Sequence, residues 1–542
     1  MRSSSRGGGN YVRTPVKVFS LGSPSAESDD LVTTAYFNNG DLSLARDFGD
    51  FHRFLVGRTG SGKTALFEEL DHLEGKRVIR FSSKTLSLPY ALDLPAIQEL
   101  VGMEVHLEPF FDALWKHVIV VEVIRHRYKV TSPEGQASLI ESLTSRLHRD
   151  PGKRVALAYF EEFGGSFWCD TDQRVREIVE RLDVKLHGAA GAIAPGLGAH
   201  LSGERSHSVE VRTEITQRYQ RLVNETQLPK LNQVIEILGD LILDSDQHKT
   251  YLLIDDLDID WSDDPVRNLL LRSLLGAVLD LQKVRRLKVI VALRTNIFET
   301  VESDTASRHA QGEKHRAAAV HIGWTAPQLE DLLDDRIGVT CQRYGCQVTR
   351  LRDLLPSRRR GERAIEYILS RTLMRPRDAI MFLDESLRRN GPPKRVTWGH
   401  IEAAEKEYSK ERLLALGDEW KDPYVGIDKV FDAFRGAKAV MTPRDIEKRL
   451  EDAALLASDA CIAKWLLPLC EGMLSGSATS WSSRYVKLIR FLFNLGLLGL
   501  VSPSGERAFQ YTDSSAADSE SAVVRAVGFV IHPAFCLALE VA

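Results

Sequence analysis

Apolar residues fall along this chain in two rhythms that alternate. Phe54-Leu55-Val56, Arg77-Val78-Ile79-Arg80-Phe81, Tyr251-Leu252-Leu253-Ile254, Leu287 to Leu293 and Ala318-Ala319-Val320-His321-Ile322 are short, largely apolar runs of the kind that fill buried strands. Between them the spacing changes to every third or fourth residue, as in Ala65, Leu66, Leu70 and Leu73, or Val266, Leu269, Leu270, Leu274, Leu275 and Val278. That spacing collects the apolar groups on one helical face. Asp263-Asp264-Pro265 provides an acidic cap and a first-turn proline for the second of these helices, which ends near Lys283. Strands alternating with helices predict an α/β fold on a parallel sheet.

One interval breaks the alternation. From Leu86 to Lys249 the chain is too long for a simple connection. Leu107, Phe110, Phe111, Leu114, Trp115 and Val118, and later Leu231, Val234, Ile235, Leu238, Leu241 and Ile242, predict helices of an insertion packed on the core. A Gly/Ala-rich stretch from Gly188 to Gly203 separates them. The aromatic members are read as core residues in preference to a ligand pocket.

Beyond the strands the pattern is helical. A helix runs from Pro327 onwards, and Ala379, Phe382, Leu383 and Leu387 share one face of another. Gly391-Pro392-Pro393 marks a boundary, after which Thr397 starts a helix carrying Ile401, Ala404 and Tyr408. Thr442-Pro443-Arg444-Asp445 has the form of a capping box, and Tyr485, Leu488, Ile489, Leu492 and Leu495 give a helix closed by Gly496. Leu497 to Val501 pairs with Ala508 to Thr512 across Pro503-Ser504-Gly505, so helices followed by a two-stranded wing suggest a winged helix. Val16 to Leu21 is a candidate edge strand, with order expected to begin near residue 30. The expected division is a disordered tail over 1–30, a core over 31–325 with its insertion at about 86–249, a helical lid over 326–390 and a C-terminal region over 391–542.

Composition narrows the classes. A chain of 542 residues exceeds one compact core, and its net charge of -4 supplies no global basic field, so any nucleic-acid contact must be local. The 6 cysteines form no C-x-x-C pair, which favours reduced thiols and a cytoplasmic setting over zinc. The run Val118 to Ile124 is too short to span a bilayer, and the Ser/Gly/Arg-rich start lacks the apolar segment of an export signal, so no membrane association is expected.

The chemistry concentrates at Gly57-Arg58-Thr59-Gly60-Ser61-Gly62-Lys63-Thr64, which meets the G-x-x-x-x-G-K-[ST] phosphate-loop pattern between a strand and a helix. Glycines 57, 60 and 62 let backbone N–H groups turn toward anionic phosphates at a helix N-terminus. Lys63 is expected to reach the β/γ-phosphates of ATP, and Thr64 to ligate Mg²⁺. The run Tyr251 to Ile254 ends in Asp255-Asp256, with Asp255 placed to hold the Mg²⁺ and Asp256 to position water. Asp256 is one methylene shorter than the glutamate many ATPases use there, so slow turnover is expected. Asp258 and Asp260 read as a solvated turn. Arg294 and Asn296, at the tip of the Leu287 to Leu293 strand, are candidates to sense the γ-phosphate.

This order, followed by Arg375-Pro376-Arg377-Asp378 in a helical lid, resembles the AAA+/STAND-type P-loop ATPases. It is most similar to bacterial orphan P-loop ATPases with a helical insertion and a C-terminal winged helix, relatives of the origin-initiator ATPases. The resemblance implies a P-loop NTPase fold, a second nucleotide sensor at Arg377, a homo-oligomer or partner protein, and roles such as stress or phage-defence signalling. Asp378 is the alternative partner for that arginine. Arg484, Lys487 and Arg490 recur on one helical face that could meet duplex DNA. The basic runs 146–154 and 358–360 lack interleaved aromatics and read as solvated. No nuclease metal cluster, Ser/His/Asp triad or nucleophilic cysteine pattern is present, which leaves phosphoryl transfer to water as the supported reaction.

Overall fold

In a computed structural model the described residues are 19–82, 107–129, 141, 228–255, 257, 265–303, 312–346, 350–388, 393–421, 423–470, 481–517 and 519–542. The chain divides into two compact units, Asn38–Ile322 and Met1–Phe37 with Gly323–Ala542. The first is built on the parallel sheet that the apolar runs predict. Its strands are β1 (Phe54–Val56), β2 (Val78–Ser82), β3 (Thr250–Asp255), β4 (Leu287–Leu293) and β5 (Ala319–His321), ordered β2-β3-β4-β1-β5. Every adjacent pair is parallel. β1, β3 and β4 are buried at every position, as strands covered on both faces must be.

Helices Lys63–Glu74, Glu108–Tyr128, Leu228–Ile237 and Pro265–Asp280 belong to the same unit. Glu108–Tyr128, from the inserted interval, is buried nearly all round and joins one apolar cluster with the sheet. Trp115 is 2% exposed and its Nε1 donates to the Leu270 carbonyl at 2.9 Å, so the insertion's aromatics here are core. Charged side chains are also buried. Lys288 on β4 is 0% exposed, its Nζ donating to the carbonyls of Leu44 (2.6 Å) and Asp47 (2.5 Å). Burial, and then the neighbouring Arg53, push its ammonium down to about 8.

The second unit corrects the expected boundary at residue 30. Phe19 and Leu21 are 0% exposed within its apolar cluster, and Arg336 donates to the Leu21 carbonyl (2.8 Å) and to Asp29 (2.7 Å). Phe19 to Leu21 form no strand, and residues 16–18 lie outside the described residues. A single apolar cluster continues from the lid helices Ala326–Arg343 and Pro376–Leu387, through Trp398–Trp420, to Leu539. The lid and the C-terminal region therefore share one core. The capping boxes at Thr325 and Thr442 start their helices with reciprocal side-chain bonds.

A second sheet, β6 (Val440–Met441), β7 (Leu498–Val501), β8 (Arg507–Ala508) and β9 (Gly528–Ile531), is antiparallel and ordered β6-β9-β7-β8. Helices Pro443–Leu455, Ala460–Leu469 and Trp481–Leu495 separate β6 from the β7–β8 hairpin, and β9 lies between β6 and β7 in the sheet, so the hairpin does not pair with β6, an arrangement the winged-helix expectation did not foresee. The second arm of the wing is shorter than Ala508 to Thr512, because Thr512 folds back to bond Phe509.

Candidate functional site

The loop Gly57 to Gly62 leaves β1 braced on both sides. The Gly57 N–H donates to the Leu293 carbonyl of β4 (3.1 Å), and the Ile322 N–H after β5 donates to Val56 (2.8 Å). A Cβ on Gly57 would lie 2.5 Å from the Ser61 Oγ, closer than van der Waals contact permits, so the loop folds tightly only with glycine there. Gly60 and Gly62 take φ of +78° and +104°, the left-handed region, and Gly62 caps the helix Lys63–Glu74. Lys63 Nζ lies back across the loop, donating to the carbonyls of Gly57 (2.8 Å) and Arg58 (3.2 Å).

Asp255 ends β3 at 9% exposure, and its Oδ2 accepts the Thr64 hydroxyl at 3.0 Å. These two residues are 191 positions apart in sequence. β4 sits between their strands and ends at Leu293 in register with Val56, so half-buried Arg294 follows the strand at the level of the loop. Thr295 opens the helix Thr295–Ser303 and places Asn296 in its first turn. Gly57 to Thr64, Asp255 and the backbone leading to Arg294 are thus brought together. Asp256, Asp258 and Asp260 lie outside the described residues.

Arg377 belongs to the other unit, at the start of the helix Pro376–Leu387, and its Nε donates to the Pro24 carbonyl at 2.9 Å. Burial, and the positive Arg375 beside it, push its guanidinium below the ordinary value. Asp378 does pair with arginine, but with Arg375 (3.0 Å) and Arg412 (2.6 Å). Burial alone would raise the Asp378 carboxyl; the two guanidiniums more than reverse this and hold it at about 2.

The donors at the loop fit a magnesium-bound phosphate chain. Mg²⁺ commonly takes one or two protein oxygens and completes its octahedron with phosphate and water, and Thr64 with Asp255 supplies such a pair. Among the described residues no group of three or more His, Cys, Asp or Glu could hold a metal unaided. The backbone brace from Leu293 to Gly57 was not foreseeable from residue identities, since any residue supplies a carbonyl.

Against families of known proteins, residues 327–417 match the model described as the FunZ-associated C-terminal helical domain. That segment covers the helices Ala326–Arg343 and Pro376–Leu387 almost completely and most of Trp398–Trp420. Comparison with curated proteins and with solved structures found no match. No helix among the described residues is long and apolar enough to cross a membrane.

Proposed function

We propose that the protein binds ATP with Mg²⁺ and hydrolyses it slowly, acting as a switch that couples nucleotide state to conformation, assembly or partner binding. The observation that carries this reading is the 3.0 Å contact between Thr64 and Asp255 at the mouth of a glycine-dependent loop. In the proposed cycle the loop N–H groups hold the phosphates and Lys63 exchanges its carbonyl partners for phosphate oxygens. Thr64 and Asp255 hold the metal, which neutralises charge on the transferring phosphoryl group. Asp256 orients water, while Arg294, Asn296 and Arg377 report which nucleotide is bound. A signalling role in stress or phage defence belongs to this reading as an expectation of the resemblance.

Calorimetry of the Lys63→Ala protein tests it: ATP affinity is lost while thermal unfolding is unchanged. Wild-type affinity in that variant would overturn the assignment. Asp256→Asn is expected to keep binding and slow single-turnover hydrolysis, and Arg377→Ala to weaken discrimination between ATP and ADP.

A second reading, an initiator- or loader-like ATPase acting on duplex DNA, is favoured by one observation. Arg484 and Lys487 are exposed and Arg490 half-exposed on the helix that precedes the wing. ATPase rate and oligomer size with and without duplex DNA separate the two.

A further inference from the structure

The helix Trp481–Leu495 presents cations together with an aromatic ring. Arg484, Lys487 and Phe491 are spaced i, i+3 and i+7, so they stand on one face, with Arg490 at its margin. Tyr485, Leu488, Ile489 and Leu492 are buried on the other side. Phe491 is only partly buried, and folding surrounds it with two more partly buried rings from elsewhere in the chain. Its centroid lies 4.7 Å from Tyr424 and 5.5 Å from Trp465, while Tyr424 and Trp465 are 5.2 Å apart. The Trp465 indole is fixed by donation from Nε1 to the Val425 carbonyl at 3.0 Å.

The two helices that carry these side chains bear charge of one sign within their spans. Helix Trp481–Leu495 carries Arg484, Lys487 and Arg490, and the neighbouring Ala460–Leu469 carries exposed Lys464; neither contains a carboxylate. Glu447 and Glu451 bear on Tyr485, whose hydroxyl is pushed up to about 12 by burial first and then by these two carboxylates, against the opposing Arg484. A basic face with partly exposed rings among its cations suits a polyanion whose bases are unstacked. A duplex groove engages cations but offers no base face to an aromatic ring.

We propose that this face, formed by Arg484, Lys487, Arg490 and Lys464 around Phe491 and Trp465, binds single-stranded nucleic acid by phosphate contact and base stacking. The surface contains no residue of the nucleotide site, so its test is independent of the ATP reading and is run without ATP.

Fluorescence anisotropy of the full chain with labelled oligothymidine and with a duplex of equal length is the experiment. The single strand should bind more tightly at low salt and quench tryptophan fluorescence. Phe491→Leu, which keeps an apolar side chain in the cluster, should weaken single-strand binding roughly 5- to 100-fold. Replacing Arg484, Lys487 and Arg490 with alanine should shallow the salt slope by up to about 2.1, taking roughly 0.7 per phosphate on a single strand. Circular dichroism melting confirms that each variant is folded, and Phe491→Tyr should restore affinity where Phe491→Leu loses it. Duplex binding as tight as single-strand binding, an unaltered affinity in folded Phe491→Leu, or no binding to either oligonucleotide would overturn the proposal.

Discussion

Each unit buries an aspartate, and the two are held by partners of different kinds. Asp255 accepts the Thr64 hydroxyl at the end of a strand, whereas Asp378, 0% exposed in the first turn of a helix, accepts from Arg375 and Arg412. The Thr64 contact adds a hydrogen bond and no positive charge. Two guanidiniums, one of which also reaches Glu419 at 3.2 Å, make Asp378 part of a closed ionic network. Burial of an acidic residue therefore does not by itself mark a site, since Asp378 is buried within an ionic network of arginines.

Removing the Asp378 charge should have the largest effect on stability. Asp378→Asn leaves Arg412 buried without its anion and Arg375 with Glu419 alone, an expected loss of about 3–5 kcal/mol in urea unfolding. Its carboxyl titrates at about 2 in the folded chain, below its ordinary value, so this contribution is complete above the ordinary carboxylate range. It is lost only as pH falls toward about 2. Asp255→Asn should invert the pattern: unfolding changes by less than about 1 kcal/mol, while Mg²⁺-dependent ATP affinity falls roughly 10- to 100-fold by calorimetry. A stability loss at Asp255 as large as at Asp378 would erase the contrast.

A smaller effect concerns Lys288, a buried cation of the sheet unit. Lys288 has lost its proton above about 8 in the folded chain, while the unfolded lysine keeps it to about 10.4. Unfolding between those values takes up a proton, so raising pH from 8 to 10 should stabilise wild type relative to Lys288→Met by roughly 1–2 kcal/mol. Parallel pH dependences in the two proteins would show the lysine does not titrate there. Smallest is the cap at Thr442, where Thr442→Ala removes the bond to the Asp445 N–H and should cost about 1 kcal/mol in unfolding.

What could be read in the sequence follows the same division. The loop at Gly57 to Thr64 and the strands around it are contiguous patterns whose geometry is local, and the structure places them as strand, turn and helix. The burial of Phe19 and Leu21 was not legible. It depends on the Tyr344 ring 5.5 Å away and on Asp384, which accepts the Leu21 N–H, both hundreds of residues downstream. β9 was not read from the sequence; it has no local partner and pairs with β6 and β7 instead. The arginine run 358–360, read as solvated, is partly engaged: Arg359 lies 4.2 Å over Trp398 and bonds Glu402 at 2.6 Å. Aromatics absent from a run in sequence can arrive from another helix.

The strand order has a corollary for inserted chain. β2 and β3 are adjacent and parallel at one edge of the sheet, so the interval joining them returns from the end of β2 to the start of β3 and need not cross β4 or β1. Its flanking helices Glu108–Tyr128 and Leu228–Ile237 also touch one another. For a flexible link between two anchored ends, the entropic cost of closure grows by only about 0.6 kcal/mol per doubling of length, so inserting flexible chain between Tyr128 and Leu228 is expected to leave the pairing of β2 with β3 intact. Such an edge can take up inserted chain while the 3.0 Å contact between Thr64 and Asp255 is kept.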